Sequence, residues 1–147
     1  MSDIQGLIRD LVAANHILGA EGLCDAYGHI SVRNPDNPDT YFLSRSRSPE
    51  LVTESDILEF NLDNSPTRET ELPIYIERPI HGAVFEARPD VMSVIHNHCA
   101  EVLPFAITAT PMRPAIHNAK RLGETAPVWD IRDKFGDTDL LVTTNDQ

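Results

Sequence analysis

The first 20 residues carry apolar side chains close to helical spacing. These are Ile4, Leu7, Ile8, Leu11, Val12, Ile17 and Leu18. Gly22 follows as a C-terminal stop signal. The pattern therefore predicts an amphipathic helix over Ile4–Ala20.

Three short segments with strand patterns come next. We predict strands over 28–33, 41–44 and 57–62, from their alternating or β-branched and aromatic residues. Turn residues at 34–39 connect the first two segments, which predicts a hairpin. A polar loop over 63–71 follows the third.

The second half of the chain predicts helices alternating with strands. The expected elements are a helix over 76–87, a buried strand over 91–96, a helix over 100–107 and a strand at 115–116. Pro89 closes the first helix, because a residue before proline is pushed away from helical angles. A purely parallel sheet needs a crossover after every strand, whereas the early strands form a hairpin run. We therefore expect an α/β fold, with a mixed or mainly antiparallel sheet and helices on its faces.

Composition narrows the class of protein. A chain of 147 residues fits one domain with its own core. Its net charge of −11 makes nucleic acid and anionic membranes unexpected partners, and no apolar run approaches the ~18 residues of a membrane helix. Cys24 and Cys99 form no CxxC pattern and the amino terminus lacks signal-peptide features, so we expect free thiols and the cytoplasm.

The segment V-I-H-N-H places His96 and His98 two residues apart at the end of an apolar strand. Their side chains should point to the same side of the sheet, where two imidazoles can converge on one metal ion. The alternative is a core histidine bonded to a backbone carbonyl beside an exposed one. Zinc and manganese both accept imidazole, so ligand type does not select between them.

Glu77 is the acidic candidate for the same site. It lies at the start of the helix that precedes the strand of His96, and a short return brings its carboxylate back near the strand end. A solvated carboxylate favoured by the helix dipole is the competing interpretation. His81 stands at i+4 from Glu77, on the same predicted helix face.

Residues 77–98 resemble the signature of the class II aldolase/adducin family. In that stretch E-R-P-I-H leads through a helix to R-P-D-V and then to an apolar strand ending H-N-H. G-H-I-S-V-R at 28–33 is similar to the family's early G-N-x-S-x-R element, and P-A-I-H at 114–117 resembles the strand after its metal site. The resemblance implies a three-layer α/β/α sandwich, a divalent metal held by three histidines, and a homotetramer with active sites between subunits.

The resemblance also implies roles for individual residues. His96 and His98 become metal ligands, and Glu77 becomes the acid/base that can also touch the metal. His29, Ser31 and His117 are expected on the substrate side, although His29 and His117 are equally candidates for structural histidines.

The phosphate-binding elements of the family's sugar aldolases are altered here. Their positions hold His29, the run S-R-S-R-S at 44–48, and Tyr75 with Ile76. Arg45 and Arg47 suit bidentate binding of a carboxylate, although two arginines in a polar loop are more often a solvated turn. This pattern favours a carboxylated, unphosphorylated substrate, as in the branch similar to 3-hydroxy-2-methylpyridine-4,5-dicarboxylate decarboxylase.

The family's third histidine is expected beyond Gln147, since His117 comes too early for that role. The run T-T-N-D-Q contains a capping box at 144–147, which marks the start of a helix. We therefore expect a single domain over 1–147 that is truncated at its C-terminal side. With only two of the family's three histidines, this chain is not expected to be competent for catalysis by itself.

The functional hypothesis is a metal-dependent carbon–carbon lyase, either a decarboxylase or an aldolase. Its substrate would be a carboxylated, unphosphorylated hydroxy or oxo compound. The rivals are a sugar-phosphate aldolase or epimerase of the same family and a non-catalytic, adducin-like binding domain.

Overall fold

One antiparallel sheet organises the chain, in a computed structural model that describes residues 2–136 and 141–147. Its strands are β1 (His29–Arg33), β2 (Thr40–Ser44), β3 (Ile57–Asn61) and β4 (Ser93–His96). Their order across the sheet is β3-β2-β1-β4, and every neighbouring pair is antiparallel. The hairpin and the antiparallel sheet are therefore confirmed.

Four α-helices accompany the sheet in the described ranges. They are α1 (Ile4–Ala20), α2 (Pro79–Ala87), α3 (Leu103–Ile107) and α4 (Ile131–Phe135). Shorter 3₁₀ turns lie at Pro49–Leu51, Glu54–Asp56 and His117–Leu122. None of the helices described is long and apolar enough to cross a membrane.

The predicted helix α1 has the expected bounds. Asp3 caps its first turn by accepting a hydrogen bond from the Gly6 N–H at 2.8 Å. Just after the helix, Gly22 adopts a φ of 67°, a conformation that a residue without a Cβ takes at little cost.

The sheet carries an apolar layer on each face. On one face Leu11 of α1 packs with Ile30 and Phe42. On the other face lies a cluster that includes Phe85 of α2, and its members are Tyr41, Leu43, Phe60, Tyr75 and Phe85. Because successive strand residues point to opposite faces, β2 contributes to both layers. The result is the expected three-layer α/β/α arrangement.

The structure corrects several predicted bounds, the burial of one strand and one predicted strand. The strand predicted as buried over 91–96 is limited to Ser93–His96, whose residues are exposed or half-buried. α2 begins at Pro79, since proline fits the first helical turn, and Glu77 lies in the preceding turn. The helix expected over 100–107 is limited to Leu103–Ile107. The strand expected at 115–116 is wrong: Ile116 is extended, but among the described residues it pairs with no strand and leads into a 3₁₀ turn.

Arg33 ties the C-terminal end of α2 to the sheet. Its guanidinium donates to four carbonyls, those of Phe85 at 2.6 Å, Arg88 at 3.1 Å, Val91 at 3.0 Å and Pro38 at 2.6 Å. The guanidinium carbon also lies 4.7 Å from the centre of the Phe85 ring. Arg33 thus satisfies helix-end carbonyls that would otherwise be buried without donors.

Arg33→Met should lower the free energy of unfolding by about 3 kcal/mol, because it removes several hydrogen bonds from a buried cation. Arg33→Lys should recover only part of this loss, since one ammonium group cannot reach all four carbonyls. Urea denaturation measures both variants. Arg88→Gln is the control, because the Arg88 side chain is 62% exposed. Equal stability of Arg33→Met and Arg88→Gln would contradict the assignment.

Candidate metal centre and active site

Two neighbouring strands and one turn bring together three side chains of the types that can ligate a metal. His29 on β1 stands opposite His96 on β4 in the antiparallel register, with ring centroids 5.0 Å apart. Glu77 approaches from the turn before α2. One ligand atom from each of His29, Glu77 and His96 lies within 4.8 Å of the other two.

His98 lies beside His96 at the edge of this cluster. The Nε2 atoms of His96 and His98 are 3.1 Å apart, and Nε2 of His96 is 3.3 Å from Oε2 of Glu77. Ligands about 2.0–2.1 Å from a tetrahedral zinc ion are roughly 3.3 Å from each other. The two separations measured from Nε2 of His96 are therefore of the size expected between ligands of one divalent cation. The two histidines meet on one side, as predicted, and their role as ligands stays a prediction.

His96 is suited to bind a metal near neutral pH. Burial lowers its pKa below the ordinary value, and the neighbouring Glu77 carboxylate offsets only part of this effect. The side chains of His96 and Glu77 keep 18% and 19% of their surface exposed. A small ligand can therefore reach a neutral imidazole and a carboxylate at the same place.

Asp25 orients His98 and was missed by the sequence analysis. Its Oδ2 is 3.0 Å from Nδ1 of His98, and its Oδ1 accepts from the N–H groups of Tyr27 and Gly28. Burial raises the Asp25 pKa, but the hydrogen bonds from His98 and Tyr27 outweigh it and the net pKa is lowered. An ionised Asp25 directs the Nδ1–H of His98 toward itself and leaves Nε2 free to face the cluster.

Behind the cluster lies a buried chain of polar contacts. Nδ1 of His29 is 2.6 Å from Nε2 of His81, and Nδ1 of His81 is 2.6 Å from Oγ of Ser31. Burial, with the nearby His81, lowers the pKa of His29 to about 2, and burial lowers that of His81 to about 3. Ser31, expected on the substrate side, is fully buried and reaches the cluster through His81 and His29.

Tyr75 connects His29 to the loop that carries the two arginines. Its ring centroid is 4.2 Å from that of His29. The Tyr75 hydroxyl donates to the Arg47 carbonyl at 2.5 Å and accepts from the Arg47 N–H at 3.3 Å. Burial raises the pKa of Tyr75, so the hydroxyl stays protonated. The arginine loop is thereby anchored next to His29.

Arg45 and Arg47 already face a carboxylate of the protein. Asp56 lies 2.5 Å from Nε of Arg45 and 3.3 Å from a terminal nitrogen of Arg47. Burial raises the Asp56 pKa, but the hydrogen bonds of Arg45 and Thr53 outweigh it and hold the pKa well below its usual range. The two arginines thus bind a carboxylate of the protein itself. Binding of a substrate carboxylate by the same pair stays a prediction.

His117 is not brought to the cluster. It lies exposed on the 3₁₀ turn His117–Leu122, and no contact joins it to His29, Glu77 or His96 in the part of the chain that is described. Its predicted role in substrate binding therefore receives no structural support here and stays a prediction.

Comparison with known proteins places this geometry in a family. The profile described as "Class II Aldolase and Adducin N-terminal domain" matches residues 9–142. The decarboxylase tropJ of Talaromyces stipitatus is 38% identical over 144 residues, which cover 95% of this chain and 54% of that protein. A 3,4-dihydroxyphthalate decarboxylase of Arthrobacter keyseri is 32% identical over 119 residues, with 74% and 47% covered.

Solved structures share the fold. An L-fuculose 1-phosphate aldolase from Glaciozyma antarctica PI12 superimposes with a TM-score of 0.71 at 24% identity, over 82% of this chain and 53% of that chain. The chain spans about half the length of the curated relatives it matches.

Asp25→Asn should weaken metal binding about 10- to 100-fold, because an amide holds the orientation and basicity of His98 less well than a carboxylate does. Competition with a chromogenic zinc chelator measures the dissociation constant. Asp90→Asn is the control, since Asp90 pairs with Arg88 on the exposed surface. Unchanged zinc affinity in Asp25→Asn would show that Asp25 does not contribute to metal binding.

Asp56→Asn should lower the free energy of unfolding at pH 7 by about 3 kcal/mol, because two partly buried arginines lose their counter-ion. The folded-state pKa of Asp56 is depressed, so its stabilisation is complete above the ordinary aspartate pKa of about 3.9 and is lost as the pH falls below it.

The stability difference between wild type and Asp56→Asn should therefore narrow in urea titrations taken from pH 7 to pH 3. Asp39→Asn, at an exposed side chain, serves as the control. A difference that does not depend on pH would contradict the role of the Asp56 charge.

Proposed function

Because this chain belongs to the class II aldolase and adducin family, we propose that it forms the metal-binding part of a carbon–carbon lyase that decarboxylates a hydroxylated carboxylic acid. The observation that carries the proposal is the approach of two ligand types to Nε2 of His96. Nε2 of His98 lies 3.1 Å from this atom and Oε2 of Glu77 lies 3.3 Å from it. A non-catalytic domain has no need of such a donor set. The decarboxylase relatives favour this chemistry over sugar-phosphate cleavage.

The metal would be held by His96 and His98, with Glu77 beside it. A bound divalent cation supplies Lewis acidity, which stabilises negative charge on a substrate oxygen. His96 and His98 approach from the same end of β4, so a small displacement of that strand end would move both together. Asp25 keeps one of them in its binding tautomer.

Glu77 would act as the proton donor. When the bond between the ring or chain carbon and the carboxylate breaks, CO₂ leaves and the electron pair stays on carbon, where one proton must be added. Glu77 is 19% exposed and sits beside His96, so its carboxyl group is placed to hold this proton and to deliver it.

Arg45 and Arg47 would recognise a second anionic group of the substrate. Arg45 engages Asp56 through Nε, and its terminal nitrogens are the groups suited to an additional carboxylate. Tyr75 holds the backbone of Arg47 next to His29. The proposed substrate class is thus a hydroxylated aromatic or oxo acid with more than one carboxylate and no phosphate.

Finer features are proposed from the family resemblance. They are zinc or manganese as the metal, a homotetramer, a cytoplasmic location, and a third metal-binding histidine in addition to His96 and His98. Metal analysis and sedimentation address the first two.

The purified protein, loaded with zinc or manganese, should release CO₂ from 3,4-dihydroxyphthalate, a probe of the proposed class. His96→Ala should remove the bound metal. Glu77→Gln should retain the metal but lower kcat by about 10²- to 10⁴-fold, because proton transfer is lost. His16→Gln, at a histidine bonded to the Val52 carbonyl, is the control and should keep activity.

Two results would overturn the proposed function. One is turnover of a ketose 1-phosphate without CO₂ release from any hydroxylated aromatic acid in a matched panel. The other is His96→Ala protein with the metal content of the wild type.

A further inference from the structure

We propose that His29 serves the site as a hydrogen-bond donor, through its Nε2–H, to an anionic oxygen of the substrate, and that Ser31 and His81 are the positioning residues that place this proton. The identity of the substrate oxygen rests on the proposed function. The position of the proton rests on the buried contacts alone.

The first step is the contact between two imidazoles. A separation of 2.6 Å between Nδ1 of His29 and Nε2 of His81 requires one N–H and one lone pair. Either His81 donates to His29 or His29 donates to His81. The choice decides what the second nitrogen of His29 offers to the site.

The second step is the hydrogen bond between Ser31 and His81, whose direction decides which nitrogen of His81 carries the hydrogen. If its hydroxyl donates to Nδ1 of His81, then Nε2 of a neutral His81 carries the hydrogen and donates to His29. If instead His81 donates to Ser31, the hydrogen of the Ser31 hydroxyl must find another acceptor. Within residues 2–136 and 141–147, His81 is the only hydrogen-bond partner of Ser31 Oγ. Because Ser31 is fully buried, that hydrogen would stay unpaired, which costs about 1–3 kcal/mol.

The favoured direction therefore runs from Ser31 to His81 and from His81 to His29. Nδ1 of His29 then accepts, and its single hydrogen lies on Nε2. This N–H belongs to a side chain whose ligand atom is within 4.8 Å of those of Glu77 and His96. His29 is thus near the metal-binding atoms but has no lone pair for a metal.

A fixed N–H beside a metal centre suits an anionic oxygen. The ring of His29 is held between His81 and Tyr75, at centroid distances of 4.7 and 4.2 Å, so the donor cannot easily turn away. Such a preorganised donor is worth most where negative charge develops in a shielded site. A carboxylate or phenolate oxygen of a substrate bound beside His96 fits this description.

The direct test is the tautomer of each ring, read from long-range ¹H–¹⁵N correlation spectra of the full chain labelled with ¹⁵N-histidine. His29 and His81 should both carry hydrogen on Nε2. His16 provides an internal standard, because its Nε2 lies 2.7 Å from the Val52 carbonyl, which can only accept. His29→Gln and His81→Gln assign the signals. A hydrogen on Nδ1 of His29 would overturn the proposal.

Ser31→Ala and Ser31→Thr form a matched pair. Ser31→Ala removes the hydroxyl and should convert the single tautomer of His29 into a mixture, whereas Ser31→Thr keeps the hydroxyl and should keep the wild-type spectrum. In the decarboxylation assay, Ser31→Ala should lower kcat about tenfold with a smaller change in KM, and Ser31→Thr should restore it. A purely structural role of Ser31 would alter stability without altering the tautomer, and that outcome counts against the proposal.

Ligand contact is tested with 2,3-dihydroxybenzoate added to the zinc-loaded chain. The His29 Nε2–H proton should shift downfield, as expected when it donates to an anionic oxygen. Binding of the probe without this shift would overturn the contact. If the metal-loaded protein fails to decarboxylate any acid while the tautomer and shift are as expected, the proposed function fails and the donor role of His29 stands.

Discussion

The buried polar contact between β1 and α2 is the constraint on which the site depends. On its α2 side β1 carries His29, Ser31 and Arg33 where an ordinary core strand carries apolar residues. Arg33 binds the carbonyls at the end of α2, and Ser31 and His29 meet His81 near its start. A buried polar group costs free energy unless it is paired. The pairing therefore fixes the rotation and position of α2, and the turn holding Glu77 follows from it.

The sequence was enough to predict the layers because they depend on periodicity. The bounds of α1, the hairpin of β1 and β2, and the meeting of His96 with His98 all follow from patterns of period 3.6 or 2. The same pattern could not show which face of β1 is polar and buried. An alternation with histidine, serine and arginine is typical of a strand with one face in solvent, and only tertiary pairing reverses that assignment.

The parts of the site that were missed depend on contacts distant in sequence. Asp25 stands in a loop and is bonded to the N–H groups of Tyr27 and Gly28, which is typical of an ordinary turn. Its contact with His98 arises because β4 pairs with β1, which follows this loop. Similarly, no partner for the charges of Arg45 and Arg47 could be identified from the sequence. Asp56, brought close by the β2–β3 pairing, engages both.

The charges around the cluster would favour a bound cation. The acidic groups Asp25 and Asp56 are each engaged, one by His98 and one by two arginines. The imidazoles of His29, His81 and His96 have lowered pKa values and so add no positive charge that would repel a metal. Glu77 then contributes a carboxylate among neutral nitrogens. In the proposed ligand set Glu77 is the anionic member, so a divalent ion held there would keep excess positive charge within that set, which would favour an anionic substrate.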